Sequence, residues 1–316
     1  MNVLRDWQAF PSELRGGALC VGNFDGVHIG HARMLATARD EARRRAIPFT
    51  IMSFDPHPNV LLHPELVRAP LTTSVQRESL LAAFDPDALI VIPTTRAFLG
   101  MPAEDFLARV VRDALGVRIM VEGPTFTFGR GARGTMEMLR AESARFGFEV
   151  LQVATEQAML ADLTLVNVSS SLVRWLVERG RVADARRCLG RPYTLRGEVV
   201  RGKQRGRKIG FPTANLRCTQ LLPAPGIYAG WATLPDARVP PAAISIGTNP
   251  TFDGIQTTVE AFLLDYTGDL YGQTIDIALT RWLRDMYAFG GVEPLVVQMR
   301  RDVDKVRETI STKEPA

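Results

Sequence analysis

Two histidines three residues apart lie in the run Gly22-Asn23-Phe24-Asp25-Gly26-Val27-His28-Ile29-Gly30-His31, after the apolar stretch Ala18-Leu19-Cys20-Val21 and before a helical pattern from Ala32 to Arg45. A glycine-rich turn thus brings both imidazoles to the mouth of a helix. Unpaired N–H groups and a partial positive charge at a helix start favour a phosphate. Imidazole donors beside it would meet charge that develops on a phosphoryl group. A third histidine stands in Phe54-Asp55-Pro56-His57-Pro58, the loop after the next strand-like run, which would lie beside the first at one sheet edge.

A second concentration of chemistry begins near residue 197. Gly197-Glu198-Val199-Val200-Arg201-Gly202 is followed by Gly206-Arg207-Lys208-Ile209-Gly210-Phe211-Pro212-Thr213-Ala214-Asn215, a basic loop whose glycines would let backbone N–H groups wrap phosphates. Thr213 and Asn215 add hard oxygen donors suited to Mg²⁺. The chain has no GxxxxGK[ST], so a kinase here would work without a P-loop. Glu260 interrupts the apolar run Val259-Glu260-Ala261-Phe262-Leu263-Leu264. Facing inward, such a carboxylate is costly unless paired or functional; alternation with Val259 and Ala261 equally permits it to face outward. Gly129-Arg130-Gly131-Ala132-Arg133-Gly134 is a literal GxGxxG, but Gly123-Pro124 breaks the run before it and it does not follow the first strand. Dinucleotide binding of the Rossmann type is therefore not expected there.

Alternating elements would position these residues. Leu19–Val21, Phe49–Phe54, Ala88–Ile92, Arg118–Glu122 and Glu149–Val153 read as strands, with helical patterns at Ala32–Arg45, Ser74–Ala83, Ala103–Leu115 and Thr135–Phe146. That rhythm predicts βαβ units and a parallel sheet with ligands at the carboxyl ends of its strands. Ser169–Leu189 reads as one helical stretch capped by serines. After Gly190-Arg191-Pro192 come only short β-like runs, Thr194–Val200, Gly226–Leu234, Ala242–Ile246, Thr257–Leu264 and Thr274–Leu279, until a helix at Pro294–Thr309. They predict a small antiparallel barrel or sandwich. The expected division is 1–186, α/β, and 187–316, all-β.

Composition narrows the class. The 316 residues are 46% hydrophobic and 23% charged, with a net charge of +4, which suits small anions as readily as nucleic acid. Three scattered cysteines without a CxxC pair argue against disulfides or zinc and fit a reducing cytosol. Arg5 and Asp6 stand where a secretory signal would need apolar residues, and no run approaches the ~20 apolar residues of a membrane span. A cytoplasmic protein that engages neither membrane nor nucleic acid is expected.

The motifs resemble those of a known family. Gly-x-Phe-Asp-Gly-Val-His-x-Gly-His is similar to the HxGH signature of nucleotidyltransferases in the longer form of bacterial FAD synthetases. Ser169-Ser170-Ser171-Leu172-Val173-Arg174 resembles their second signature, and the loop ending Gly210-Phe211-Pro212-Thr213-Ala214-Asn215 resembles the riboflavin kinase signature. Gly226-Ile227-Tyr228-Ala229-Gly230, Ile246-Gly247-Thr248-Asn249-Pro250-Thr251-Phe252 and Leu270-Tyr271-Gly272 follow in family order. The chain thus resembles the bacterial bifunctional riboflavin kinase/FMN adenylyltransferase family from about Leu19 to Asp302.

The resemblance implies riboflavin, FMN and ATP as substrates, Mg²⁺ as cofactor, and FMN and FAD as products. It makes His28 and His31 catalytic in adenylyl transfer, with Gly22, Asn23, Phe24, Asp25, Gly30, Ser170, Ser171 and Arg174 on ATP. Phe54, Pro56, His57, Phe126, Phe128 and Gly129 would form that half's flavin loop. In the kinase half it places ATP on Gly202, Gly206, Lys208, Gly210, Pro212, Thr213 and Asn215, the last two on the metal. Glu260 would be the base that takes the ribityl 5′-hydroxyl proton, and Arg284 and Phe289 would meet the flavin. The resemblance also allows a weak homo-oligomer. Pro124 and Thr125 stand where the family usually carries a polar or acidic residue followed by Asp or Asn, and Met286 stands where it carries an acid. The first departure leaves open an alternative, a riboflavin kinase whose amino-terminal half is weakened or only binds nucleotide.

Overall fold

The computed structural model describes residues 2–66, 68–202, 205–251 and 254–311. Its contacts divide the chain into two compact units, Met1–Arg68 with Ser74–Gln157, and Ala69–Thr73 with Ala158–Ala316.

The first unit is built on a six-stranded sheet, β1 (Asn2–Leu4), β2 (Ala18–Val21), β3 (Phe49–Asp55), β4 (Ala88–Pro93), β5 (Ile119–Glu122) and β6 (Glu149–Gln152). The strands are parallel and lie in the order β1-β4-β3-β2-β5-β6. Runs such as Ala18-Leu19-Cys20-Val21, buried at every position, suit a strand covered on both faces. Along β2, Leu19 and Val21 join the core under the helical segment Phe106–Ala114, while Ala18 and Cys20 join the core under α1 (Ile29–Arg45) and α2 (Ser74–Ala82). A further helix, α3 (Met136–Phe146), precedes β6.

The winding reverses at β2, whose neighbours are β3 on one side and β5 on the other. Crevices open at the carboxyl ends of such neighbours, so the turn after β2 is where this topology seats a ligand. All five strands expected in this half form within two residues of their expected bounds. β1 was not expected: three residues, Asn2-Val3-Leu4, are too few to show a period, and they become a strand by pairing with Ala88–Ile90 of β4.

In the second unit the single helix expected over Ser169–Leu189 is two, α4 (Ser170–Glu178) and α5 (Val182–Leu189). The break falls at Gly180, whose φ is +70° and whose added Cβ would lie 2.8 Å from the Tyr228 hydroxyl. Only glycine allows that backbone conformation together with that approach. Val182, Ala185, Cys188 and Leu189 of α5 are buried.

Beyond α5 a closed antiparallel barrel comprises β7 (Tyr193–Val200), β8 (Ala214–Cys218), β9 (Gly226–Thr233), β10 (Pro241–Thr251), β11 (Gly254–Leu263) and β12 (Thr274–Arg284), in the order β7-β8-β11-β10-β9-β12. Closure, rather than a sandwich, follows from β12 pairing with both β7 and β9. β8 was not expected, because Ala-Asn-Leu-Arg-Cys has one strongly apolar residue inside a motif rich in turn formers. Its partners β7 and β11 make it a strand. The last helix, α6 (Val292–Ser311), buries Val306 and Ile310 in a cluster with Ile227, Leu264 and Leu283 of the barrel.

Candidate functional sites

The turn after β2 is built around a buried ring. Phe24 has φ +49° and is fully buried, and Gly26 and Val27 also have positive φ. The Gly22 N–H donates to the Met52 carbonyl of β3 at 3.0 Å, which ties the turn to the neighbouring strand. His28 caps α1: its Nδ1 accepts the His31 N–H at 3.2 Å. With Nδ1 used as an acceptor, the His28 ring proton sits on Nε2. The two imidazoles stack with centroids 3.7 Å apart and 16° between planes. Gly30 fits closely against this stack, since its Cβ would come within 3.1 Å of the His28 ring. His31 Nδ1 is shut off from solvent without a hydrogen-bond partner. Burial, then the neighbouring His28, holds the His31 pKa well below the usual imidazole value. The pair thus sets two stacked imidazoles at a helix mouth, with His31 held in its neutral form.

Phe54, Pro56 and His57 leave β3 at the same edge. The Phe126 and Phe128 rings stack at 5.6 Å, with Phe128 also 5.7 Å from Phe106. The GxGxxG segment is a pinched loop between Thr127–Phe128 and Gly134–Thr135, with Gly129 at φ +71° against Ala103. It is not a strand-to-helix phosphate turn, in line with the sequence reading. Ser170 and Ser171 open α4 in the second unit, where Ser169 Oγ accepts the Leu172 N–H at 3.2 Å. Arg174 donates to the Ala69 carbonyl at 2.5 Å.

Glu122 was missed by the sequence reading. It ends β5, is 1% exposed, and its Oε1 accepts the Val21 N–H at 2.8 Å. The β2–β5 register runs only from Ala18↔Ile119 to Leu19↔Met120, so this carboxyl group serves the backbone where the strands part. Burial pushes its pKa well above the usual range. An acid closing an apolar strand at the carboxyl edge was the signal. A pKa raised in the folded state gives stability that is complete below the unfolded value, about 4.3, and lost as pH rises through the folded one. Glu122→Gln, which keeps an acceptor for Val21, should therefore melt roughly 2–4 °C above the parent at pH 8 and converge with it at pH 4. Thermal melts at the two values check this; a parent-like melt at pH 8 contradicts it. His31 acts oppositely, its depressed pKa withdrawing stability as pH falls below about 6.5.

The second cluster lies on the outside of the barrel. Val259, Ala261 and Leu263 are buried, and Glu260, between them, turns to the other face. Register places Asn215 of β8 and Ser245 of β10 directly opposite Glu260 on either side. Thr213 Oγ1 donates to Glu260 Oε2 at 3.1 Å. Gly202 leaves room for this group, because its Cβ would lie 2.5 Å from the Asn215 amide. Gly206 accepts the Phe211 N–H at 2.9 Å, Gly210 has φ +86°, and Pro212 is exposed. The side chain of Lys208 and residues 203–204 lie outside the described residues.

Farther along the same outer face, Phe262 and Leu264 line a pocket of about 280 Å³ with Phe211, Asp265 and α6 residues including Arg300 and Val303. The Phe211 and Phe262 rings meet edge to face at 5.2 Å. Met286 lies beside Ser245, the residue opposite Glu260, with the Ser245 Oγ 3.7 Å from the Met286 sulfur. Arg284 donates from Nε and Nη2 to Asp302 of α6 at 2.8 and 2.7 Å, and lies 5.8 Å from the Phe289 ring. The sequence reading missed Ser245 and Asp302; the first shows only through register, the second only through the fold.

The riboflavin kinase family matches residues 189–310 and the FAD synthetase family residues 10–165. A bifunctional riboflavin kinase/FMN adenylyltransferase of Escherichia coli K12 is 33% identical over 304 residues, 95% of each chain. That of Haemophilus influenzae is 30% identical over 97% of this chain and 98% of its own. A solved structure titled as a macrolide-efflux protein of Streptococcus pneumoniae superposes with TM-score 0.85 at 29% identity, covering 96% of this chain and 98% of that one. Among the described residues of this chain no helix is long and apolar enough to cross a membrane. Two family matches in tandem, and relatives aligned over nearly the whole chain, place it in the bifunctional riboflavin kinase/FMN adenylyltransferase family.

Proposed function

We propose that this chain makes FAD from riboflavin in two steps and that the residues above divide the work. In the barrel, Glu260 takes the proton of the ribityl 5′-hydroxyl, whose oxygen attacks the γ-phosphorus of ATP and expels ADP. The pocket beside the Phe211–Phe262 pair receives the isoalloxazine ring, with Phe211, Phe262, Leu264 and Val303 offering apolar surface and Asp265, Arg300, Asp304 and Arg307 polar groups. Thr213 and Asn215 offer hydroxyl and amide oxygens beside the Glu260 carboxylate, a hard donor set that fits Mg²⁺. Bound there with ATP, the ion would neutralise phosphate charge. In the first unit an FMN phosphate oxygen attacks the α-phosphorus of a second ATP and pyrophosphate leaves. His28 and His31 donate to the charge that builds on that phosphorus centre.

The observation that carries this reading is the stacked His28–His31 pair at the mouth of α1, since a kinase alone has no use for it. Ser170, Ser171 and Arg174 present a second phosphate-binding helix start in the unit that holds the barrel. We also propose that the functional boundary lies at 186/187, that the enzyme works in the cytoplasm, and that it engages neither nucleic acid nor membrane.

One experiment tests the division. Given riboflavin and Mg·ATP, the full chain should yield FMN and FAD by chromatography, whereas residues 158–316 should stop at FMN. That fragment keeps α5, whose Val182, Ala185, Cys188 and Leu189 are buried, and should be more soluble than 187–316. FMN without FAD from the full chain would favour a kinase with a silent partner half.

A further inference from the structure

Arg77 is a charged residue with almost no access to water: its side chain is 6% exposed. It lies on α2 one turn after Ser74, so the two share a helix face. Both reach the same target. Arg77 Nη2 donates to the Phe54 carbonyl at 2.9 Å and to Asp55 Oδ1 at 3.2 Å, while Ser74 Oγ donates to Asp55 Oδ1 at 2.8 Å. From the other side, Thr94 at the end of β4 donates its N–H to the Asp55 carbonyl at 3.1 Å and its hydroxyl to the Pro56 carbonyl at 2.5 Å. The exit of β3 is thereby held at the backbone of Phe54, Asp55 and Pro56 at once. A buried guanidinium is costly unless its donors are used, and a core position that needed only packing would not carry one.

What this clamp orients is the loop that brings Phe54 and His57 to the edge where β2 delivers His28 and His31. The edge is continuous: Ser53 Oγ lies 3.4 Å from the Asn23 carbonyl, and Gly22 donates to Met52. The turn that carries the histidines is thus stitched to β3 just before the clamped segment begins. Arg77 holds the backbone of Phe54 and the side chain of Asp55, so its influence acts on the loop.

Resting on the reading of this edge as the adenylyl-transfer site, we propose that Arg77 is a positioning residue for the acceptor side of that reaction, fixing the Phe54–His57 loop where FMN enters. One terminal nitrogen, Nη2, serves both the carbonyl and the carboxylate from the far end of the guanidinium; a lysine ammonium, on a shorter stem, does not place its donor there.

The test is steady-state kinetics of the full chain carrying Arg77→Lys, Ser74→Ala or, in parallel, His28→Asn. Arg77→Lys should raise KM for FMN in FAD formation about tenfold, with kcat within about twofold, because misplacement of a positioning loop weakens capture of one substrate. KM for ATP and riboflavin phosphorylation should not change. Ser74→Ala, which leaves the guanidinium contacts in place, should raise KM for FMN about threefold. A merely structural role would instead lower kcat and shift both KM values along with the melting temperature, and that pattern overturns the proposal. A parental KM for FMN in Arg77→Lys, or in Ser74→Ala should the first variant not fold, overturns it too. If His28→Asn abolishes FAD formation while Arg77→Lys is parental, the clamp alone fails; if all three are parental, the site assignment fails with it.

Discussion

Replacing His28 or His31 lowers FAD formation from FMN by about 10²–10³-fold, the loss typical of removing one preorganised donor from a developing phosphoryl charge. Riboflavin phosphorylation should not move, because the proposed base, Glu260, and the proposed nucleotide loop both lie in the barrel unit. His28 needs a careful variant. Its Nδ1 caps α1, and truncating a cap costs about 1 kcal/mol by itself. His28→Asn keeps a side-chain acceptor for the His31 N–H and loses the second ring nitrogen. His31→Gln replaces the imidazole by an amide and loses its stack on His28, so it should lower activity, with the melting temperature no higher than the parent's. Parallel assays of FMN and FAD production check both. Equal loss of the two activities in folded protein would remove the histidines from adenylyl transfer.

Glu260→Gln lowers FMN formation by about 10²–10⁴-fold, the usual contribution of a positioned general base. The amide still accepts the Thr213 hydroxyl, so the local hydrogen bond survives and ATP should bind nearly as before. The variant supplied with FMN instead of riboflavin should make FAD at the parental rate. That bypass distinguishes a lost base from a damaged protein. Parental FMN formation in Glu260→Gln would sink its assignment.

Local order made much of the chain readable. The central strands of the first unit, β2 to β5, are short, mainly apolar runs bounded by turn residues, as a sheet covered on both faces requires. The His28–His31 turn announces itself because glycines, an asparagine and two imidazoles have no joint use in packing. Thr213 and Asn215 are visible for a similar reason. What stayed hidden depended on partners far away in sequence. β8 has a weak β pattern and becomes a strand only between β7 and β11. The break at Gly180 is invisible in a continuous helical period, since the Tyr228 hydroxyl that demands it lies elsewhere in the chain. Glu122 looks like the polar end of a strand until Val21 is found to need its carboxyl group.

Glu260 marks the boundary between the two kinds of knowledge. The sequence alone determined that a carboxylate interrupts an apolar strand, with a basic, glycine-rich loop before it, and that two histidines sit at a helix mouth in the other half. It left open whether Glu260 faces the barrel interior or turns outward, because alternation permits either. Tertiary structure decided the matter: Val259 and Ala261 fill the barrel, and the outward face receives Glu260 between Asn215 and Ser245, within reach of Thr213. Side-chain type is written residue by residue, but which groups converge depends on strand register, and register is set by pairing between segments distant in the chain.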